Sequence, residues 1–69
     1  MRKYVVKEQR EGSAKIETFA TAREALNVYC EALERYEKDK TCQIVGWGYE
    51  AAIKREGKVI ATIETYCEE

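Results

Sequence analysis

Apolar and polar residues alternate near the start of the chain. Tyr4, Val5 and Val6 stand among charged neighbours over residues 3–9, and over residues 14–19 Ile16 and Thr18 alternate with Lys15 and Glu17. Both stretches have the period of half-buried strands, with Ile16 and Thr18 on the buried side. Between them, Arg10-Glu11-Gly12-Ser13 predicts a hairpin turn, because glycine accepts a positive φ at little cost.

The period then changes. Thr21-Ala22-Arg23-Glu24 reads as a capping box, the threonine hydroxyl accepting from the backbone near Glu24 while that carboxylate reaches back to the Thr21 amide. From there Ala22, Ala25, Leu26, Tyr29, Leu33 and Tyr36 recur at three- and four-residue spacings and form one stripe of a helix. Arg23, Asn27, Glu31, Glu34, Arg35 and Lys38 take the other side. Glu31 with Arg35, and Glu34 with Lys38, have the spacing of helical ion pairs. Asp39-Lys40-Thr41 supplies a short polar connection.

Residues 42–54 read as extended chain, with Val45, Trp47, Tyr49, Ala51 and Ile53 on one face. Gly46 and Gly48 mark a bulge or bend that leaves one bent strand or two short ones. Arg55-Glu56-Gly57-Lys58 is a second hairpin signal, and residues 59–66 are rich in β-branched side chains before the acidic Cys67-Glu68-Glu69. Arg10-Glu11-Gly12 and Arg55-Glu56-Gly57 echo each other, each followed by an Ile-Glu-Thr-aromatic run. A duplicated hairpin and the narrow residue alphabet of hairpins both account for this. The expected fold is α+β: one amphipathic helix packed on a four- to five-stranded antiparallel sheet, in the order β-β-α-β-β with a fifth strand if the glycine break divides the extended stretch.

At 69 residues the chain holds one core and one domain, residues 1–69. With 45% apolar and 36% charged residues and no proline, it has the composition of a folded globule. A core this small supplies about 3–5 kcal/mol, so a second copy or a partner adds appreciably to stability, and a homo-oligomer such as a dimer is among the expected states. Twelve basic against thirteen acidic residues leave a net charge of −1, which favours neither polyphosphate nor anionic lipid. The polar start carries no secretory signal and no apolar run approaches the length of about 18 residues that spans a bilayer, so a cytoplasmic protein without membrane contact is expected.

The residue inventory excludes most catalytic chemistry. There is no histidine, Ser13 is the only serine and Asp39 the only aspartate. General-base pairs, nucleophile elbows and carboxylate metal loops therefore lack their parts. Gly46-Trp47-Gly48 lacks the further glycine and the helix of a phosphate loop. Cys30, Cys42 and Cys67 are odd in number and widely spaced, which suits reduced, buried or half-buried thiols better than zinc ligands or a thiolate nucleophile; Cys42 and Cys67 are the pair that could meet across a sheet. No enzyme, cofactor or metal is expected.

What remains is binding. Trp47 falls with Val45 and Ile53 in the core by face alternation, with insertion into a partner's pocket as the alternative role. Tyr49 and Tyr66, near strand ends, are the expected exposed contacts. Lys7, Arg10 and Lys15, with Arg2 and Lys3, give the first hairpin a basic character interrupted by Glu8, Glu11 and Glu17, which supports nucleic-acid binding as a second reading beside a protein partner.

Tyr4-Val5-Val6-Lys7-Glu8, Arg10-Glu11-Gly12 and Ile16-Glu17, followed by a helix and a closing hairpin at Lys54 to Lys58, resemble the plan of certain small phage anti-CRISPR proteins, in which a helix packs on a short antiparallel sheet. The match covers mainly residues 4–17, and the helix is longer here. The resemblance implies a non-enzymatic inhibitor, of phage or mobile-element origin, that binds a host defence complex through its sheet face and loops, with Lys7, Arg10 and Lys15 as contacts.

Overall fold

A computed structural model describes residues 2–69, the side chain of Trp47 excepted. The elements run β1 (Lys3–Arg10), β2 (Ser13–Phe19), α1 (Ala22–Glu37), β3 (Cys42–Trp47), β4 (Glu50–Arg55) and β5 (Lys58–Glu68). The five strands form one antiparallel sheet in the order β2-β1-β5-β4-β3. The glycine break thus divides the extended stretch into two strands, and the order is β-β-α-β-β-β. Because β2 and β3 are the two outer strands, α1 carries the chain from one edge of the sheet to the other.

The helix begins where the capping motif predicts, but the pair closes differently. Thr21, in an extended conformation, accepts from the Glu24 N–H at 3.3 Å and donates its hydroxyl proton to the Glu24 carboxylate at 2.9 Å, instead of that carboxylate taking the Thr21 amide. The helix buries Ala25, Tyr29 and Ala32 against Val6 and Ile63, with Tyr4, Phe19, Val28, Leu33 and Tyr36 packed around them. Its buried stripe therefore runs through Ala32 and Val28, and leaves Ala22 and Leu26 exposed. Neither expected helical ion pair forms among the described residues; Arg35 turns to the sheet and pairs with Glu8.

Strand register decides the faces. On β1, Tyr4, Val6 and Glu8 lie on the helix side and Val5 and Lys7 on the other, since successive positions alternate. Val5 is nonetheless buried, flanked in register by Thr18 and Tyr66. On β2 the expected faces are reversed. Pairing Tyr4 with Phe19 and Glu8 with Lys15 puts Phe19, Glu17 and Lys15 on the helix side, and Ile16 is left 59% exposed on the other. Phe19 joins the core cluster, and the two-residue turn at Glu11-Gly12 carries that parity through the strand.

The same rule corrects β3 and β4. A two-residue turn at Gly48-Tyr49 pairs Trp47 with Glu50 and Val45 with Ala52, so odd-numbered residues of β3 share a face with even-numbered residues of β4. Val45 is thereby exposed on the side away from the helix, while Ala51 and Ile53 are buried on the helix side. The role of the Trp47 side chain falls outside the described residues. At Gly46 the chain needs glycine for closeness: a Cβ there would lie 2.3 Å from the Glu50 carbonyl oxygen and 2.6 Å from the Ala51 Cα.

The three cysteines are free, as expected, but two of them depart from the expected burial. Cys30 and Cys67 are exposed, and Cys42 half-buried. Cys42 aligns through Arg55 with Lys58, so the stretch from Lys58 to Cys67 separates it from Cys67, about 30 Å at roughly 3.3 Å per residue. A disulfide between them is excluded by distance. No helix among the described residues is long and apolar enough to cross a membrane.

The echoed turns differ in strain. At the β4–β5 turn both Glu56 (φ 52°) and Gly57 (φ 78°) are left-handed, the type I′ pattern, whereas at the β1–β2 turn only Gly12 is. Glu56→Asn, which tolerates this region better, should raise stability by about 0.5–1 kcal/mol in urea unfolding, while Gly46→Ala should cost about 2 kcal/mol because its Cβ meets backbone.

Candidate binding surface

Among the described residues no group of three or more acidic or cysteine side chains is placed to hold a metal ion. Three surface features remain to be weighed: a carboxylate held by cations, a charged sheet face, and an apolar cleft.

Glu8 sits on the helix side of β1, where alternation aims it at the last turn of α1. Its side chain is 8% exposed and is held by three donors. The Tyr36 hydroxyl donates at 2.7 Å, Arg10 Nε at 2.8 Å and an Arg35 guanidinium nitrogen at 3.1 Å. Arg10 also lies over the Tyr36 ring, 5.5 Å from its centroid. Burial by itself would raise the Glu8 carboxyl, but the Tyr36 and Arg10 hydrogen bonds and the charges of Arg10 and Arg35 outweigh it and hold the group below its ordinary 4.5. The Tyr36 hydroxyl is pushed up by burial and by its bond to Glu8. Bonded from both the helix and its own strand, this carboxylate is the centre of a clamp that ties the end of α1 to the first hairpin.

A second clamp sits at the helix exit. Asp39 accepts from the Thr41 hydroxyl at 2.7 Å, the Thr41 N–H at 2.9 Å and Arg55 at 2.9 Å. These bonds lower it from 3.8 to about 2.

The expected basic group of the first hairpin is divided by the sheet. Lys7 lies on the face away from the helix, between Ile16 and Glu64 in register, and Glu64 is in turn opposite Glu50. Arg10 and Lys15 lie on the helix face, Arg10 occupied by Glu8 and Lys15 paired with Glu17 at 3.3 Å. The three cations named from sequence form no common patch.

The two tyrosines border the same recess, although register with Val5 places Tyr66 on the face away from the helix. Tyr49 and Tyr66 border one cleft of about 210 Å³ with Tyr4, Ala22, Ala25, Leu26, Thr65 and Cys67. It opens because β4 is shorter than β5. Pairing stops at Glu50 with Glu64, the Thr65 N–H then bonds the Tyr49 carbonyl at 2.9 Å, and beyond that β5 has no neighbour on this side. Tyr49 is 63% and Tyr66 42% exposed, and Leu26 supplies an exposed apolar wall from the first turns of α1.

Sequence reasoning missed Leu26 and Tyr4 as cleft residues and Arg35 and Tyr36 as partners of Glu8. Leu26 and Tyr36 were both spaced as core, and only the packing separates them. For Glu8, the one signal was its even-numbered parity with Tyr4 and Val6, which the adjacent Val5 obscures. Compared with models of known protein families, with curated proteins and with solved structures, the chain matches none.

Because the folded Glu8 titrates below its unfolded value, its stabilisation is complete above about pH 4.5 and is lost as pH falls through the folded pKa. Tyr36→Phe removes one donor and raises that pKa. It should cost about 1 kcal/mol at neutral pH and move acid unfolding, followed by circular dichroism, to higher pH.

Proposed function

We propose that this protein is a small non-enzymatic binding module whose partner is another protein, gripped at the Tyr49–Tyr66 cleft. The observation that carries the reading is one apolar recess at the end of the sheet, bordered by the exposed Tyr49 of the β3–β4 turn, the exposed Tyr66 of β5 and Leu26 of the helix. Tyrosines contribute large contact area at small entropic cost, and a recess of this size takes one apolar or aromatic side chain. Beside it, β5 beyond Thr65 offers backbone groups without a strand partner, to which an extended segment can bond while its side chain fills the recess.

Such a module acts by occupying a surface. An inhibitor that caps a host defence complex, the role implied by the resemblance of the first hairpin, is one form of it, and fold-level likeness is the whole of that argument. A protein partner is preferred to nucleic acid because Arg10 and Lys15 already face carboxylates and Lys7 stands on the other side of the sheet, whereas phosphate binding draws on cations free to release their counterions.

The test is capture from lysate by the tagged protein, with and without nuclease, beside Tyr49→Asp, Tyr66→Asp and Leu26→Asp variants of unchanged circular dichroism. A bound protein that survives nuclease and loses about thirtyfold in affinity in each variant supports the cleft. Retention by all three variants would remove it, and loss of every partner on nuclease treatment would transfer the role to nucleic acid.

A further inference from the structure

Two strands of the sheet have a free edge, β2 and β3. A free edge presents unpaired N–H and C=O groups that another strand can take up, and folded proteins commonly blunt such edges. The direction of those groups follows from one bond. The Thr65 N–H points to the β4 side, so even-numbered residues of β5 bond toward β1. Through the pairs Tyr66 with Val5 and Glu64 with Lys7, odd-numbered residues of β1 bond toward β5 and even-numbered ones toward β2. The pairs Val6 with Glu17 and Glu8 with Lys15 then leave Ala14, Ile16 and Thr18 with N–H and C=O pointing outward from β2.

That pattern is self-complementary. Antiparallel pairing of Ser13–Phe19 with the same strand of another chain, centred on Ile16, sets Ile16 against Ile16 and Ala14 against Thr18, so every outward donor meets an outward acceptor. It also sets Lys15 of each copy opposite Glu17 of the other. Lys15 and Glu17 are already 3.3 Å apart within one strand, with side chains 66% and 40% exposed, so two copies close a ring of four alternating charges. On the opposite face the exposed Ile16, for which the monomer has no use, is brought against its counterpart.

β3 lacks these features. Its six residues carry no charge to set a register, and the Cys42 N–H is already bonded to the Asp39 carbonyl at 3.0 Å.

We propose that β2 is the self-association edge of this protein: two copies pair through Ser13–Phe19 about a two-fold axis at Ile16, normal to the sheet, joining their sheets into one with both helices on the same side. The occupant is a second copy because charge, hydrogen-bond direction and apolar exposure are each matched by the strand itself. The edge lies across the sheet from the turn that carries Tyr49, so dimerisation stands or falls apart from the partner cleft. An interface made of one strand pair is small and the association correspondingly weak.

Sedimentation equilibrium of the full chain up to about 1 mM tests it. The wild type should move from one chain toward two as concentration rises. Ile16→Lys, an exposed site that places lysine against lysine at the axis, should weaken self-association by about tenfold. Lys15→Glu alone and Glu17→Lys alone should each be weakened by about tenfold as well, since each sets like charges opposite one another. An equimolar mixture of the two should regain wild-type association, because every cross-strand pair in the mixed dimer is again of opposite sign. A wild type that stays single-chain at the highest concentration, an Ile16→Lys variant that associates like wild type, or a mixture no better than its components would overturn the proposal.

Discussion

The pairing of β1 with β5 holds this structure together. It joins the first strand to the last, from Lys3 with Glu68 to Arg10 with Ala61, and so unites a two-strand hairpin and a three-strand meander that are otherwise linked only through the helix. Closing so long a loop costs chain entropy, which the contacts made at closure must repay. They do so through the core: Val6 of β1 and Ile63 of β5 form the floor on which Ala25, Tyr29 and Ala32 rest. The alanines among these allow the helix backbone to approach the sheet, and the tyrosine fills the space between.

Two polar clamps then fix the helix at one end. Glu8, gripped by Tyr36, Arg10 and Arg35, ties the last turn of α1 to β1. Asp39, gripped by Thr41 and Arg55, ties the connection after it to β4. A carboxylate in an apolar setting is costly unless its oxygens are bonded, and Glu8 meets that condition with donors drawn from the helix and from its own strand. The first clamp gives Arg10 of the hairpin and Arg35 of the helix a structural role in this protein.

The surfaces left free lie where the sheet is incomplete. The cleft exists because β4 ends before β5 does, and the exposed Ile16 exists because β2 has a neighbour on one side only. Both are consequences of strand length and order. A sheet of five strands covered on one face by a single helix leaves such sites open, and in so small a protein they are the places where a partner or a second copy can add buried area.

The elements were legible from the chain itself: the capping pair Thr21 and Glu24, the helical spacing of Ala25, Tyr29 and Tyr36, and the glycine turns at Gly12 and Gly57 are local signals read over a few residues. The absence of histidine and the single serine and aspartate are likewise read without reference to any fold, and they carry the expectation of binding rather than catalysis. The faces were not legible. Val5 and Val6 are both buried, so β1 carries no parity signal, and only its pairing with β2 sends Lys15 and Glu17 toward the helix and Ile16 outward. The turn at Gly48 and Tyr49 similarly separated Val45 from Ile53, and the stagger of β4 against β5 joined Tyr49 to Tyr66. Local propensity acts through neighbours a turn or a strand step apart and is therefore written in sequence. Which side of a strand is buried, and which distant side chains share a recess, depends on register between strands far apart in the chain, where shifting the pairing by one residue exchanges the two faces.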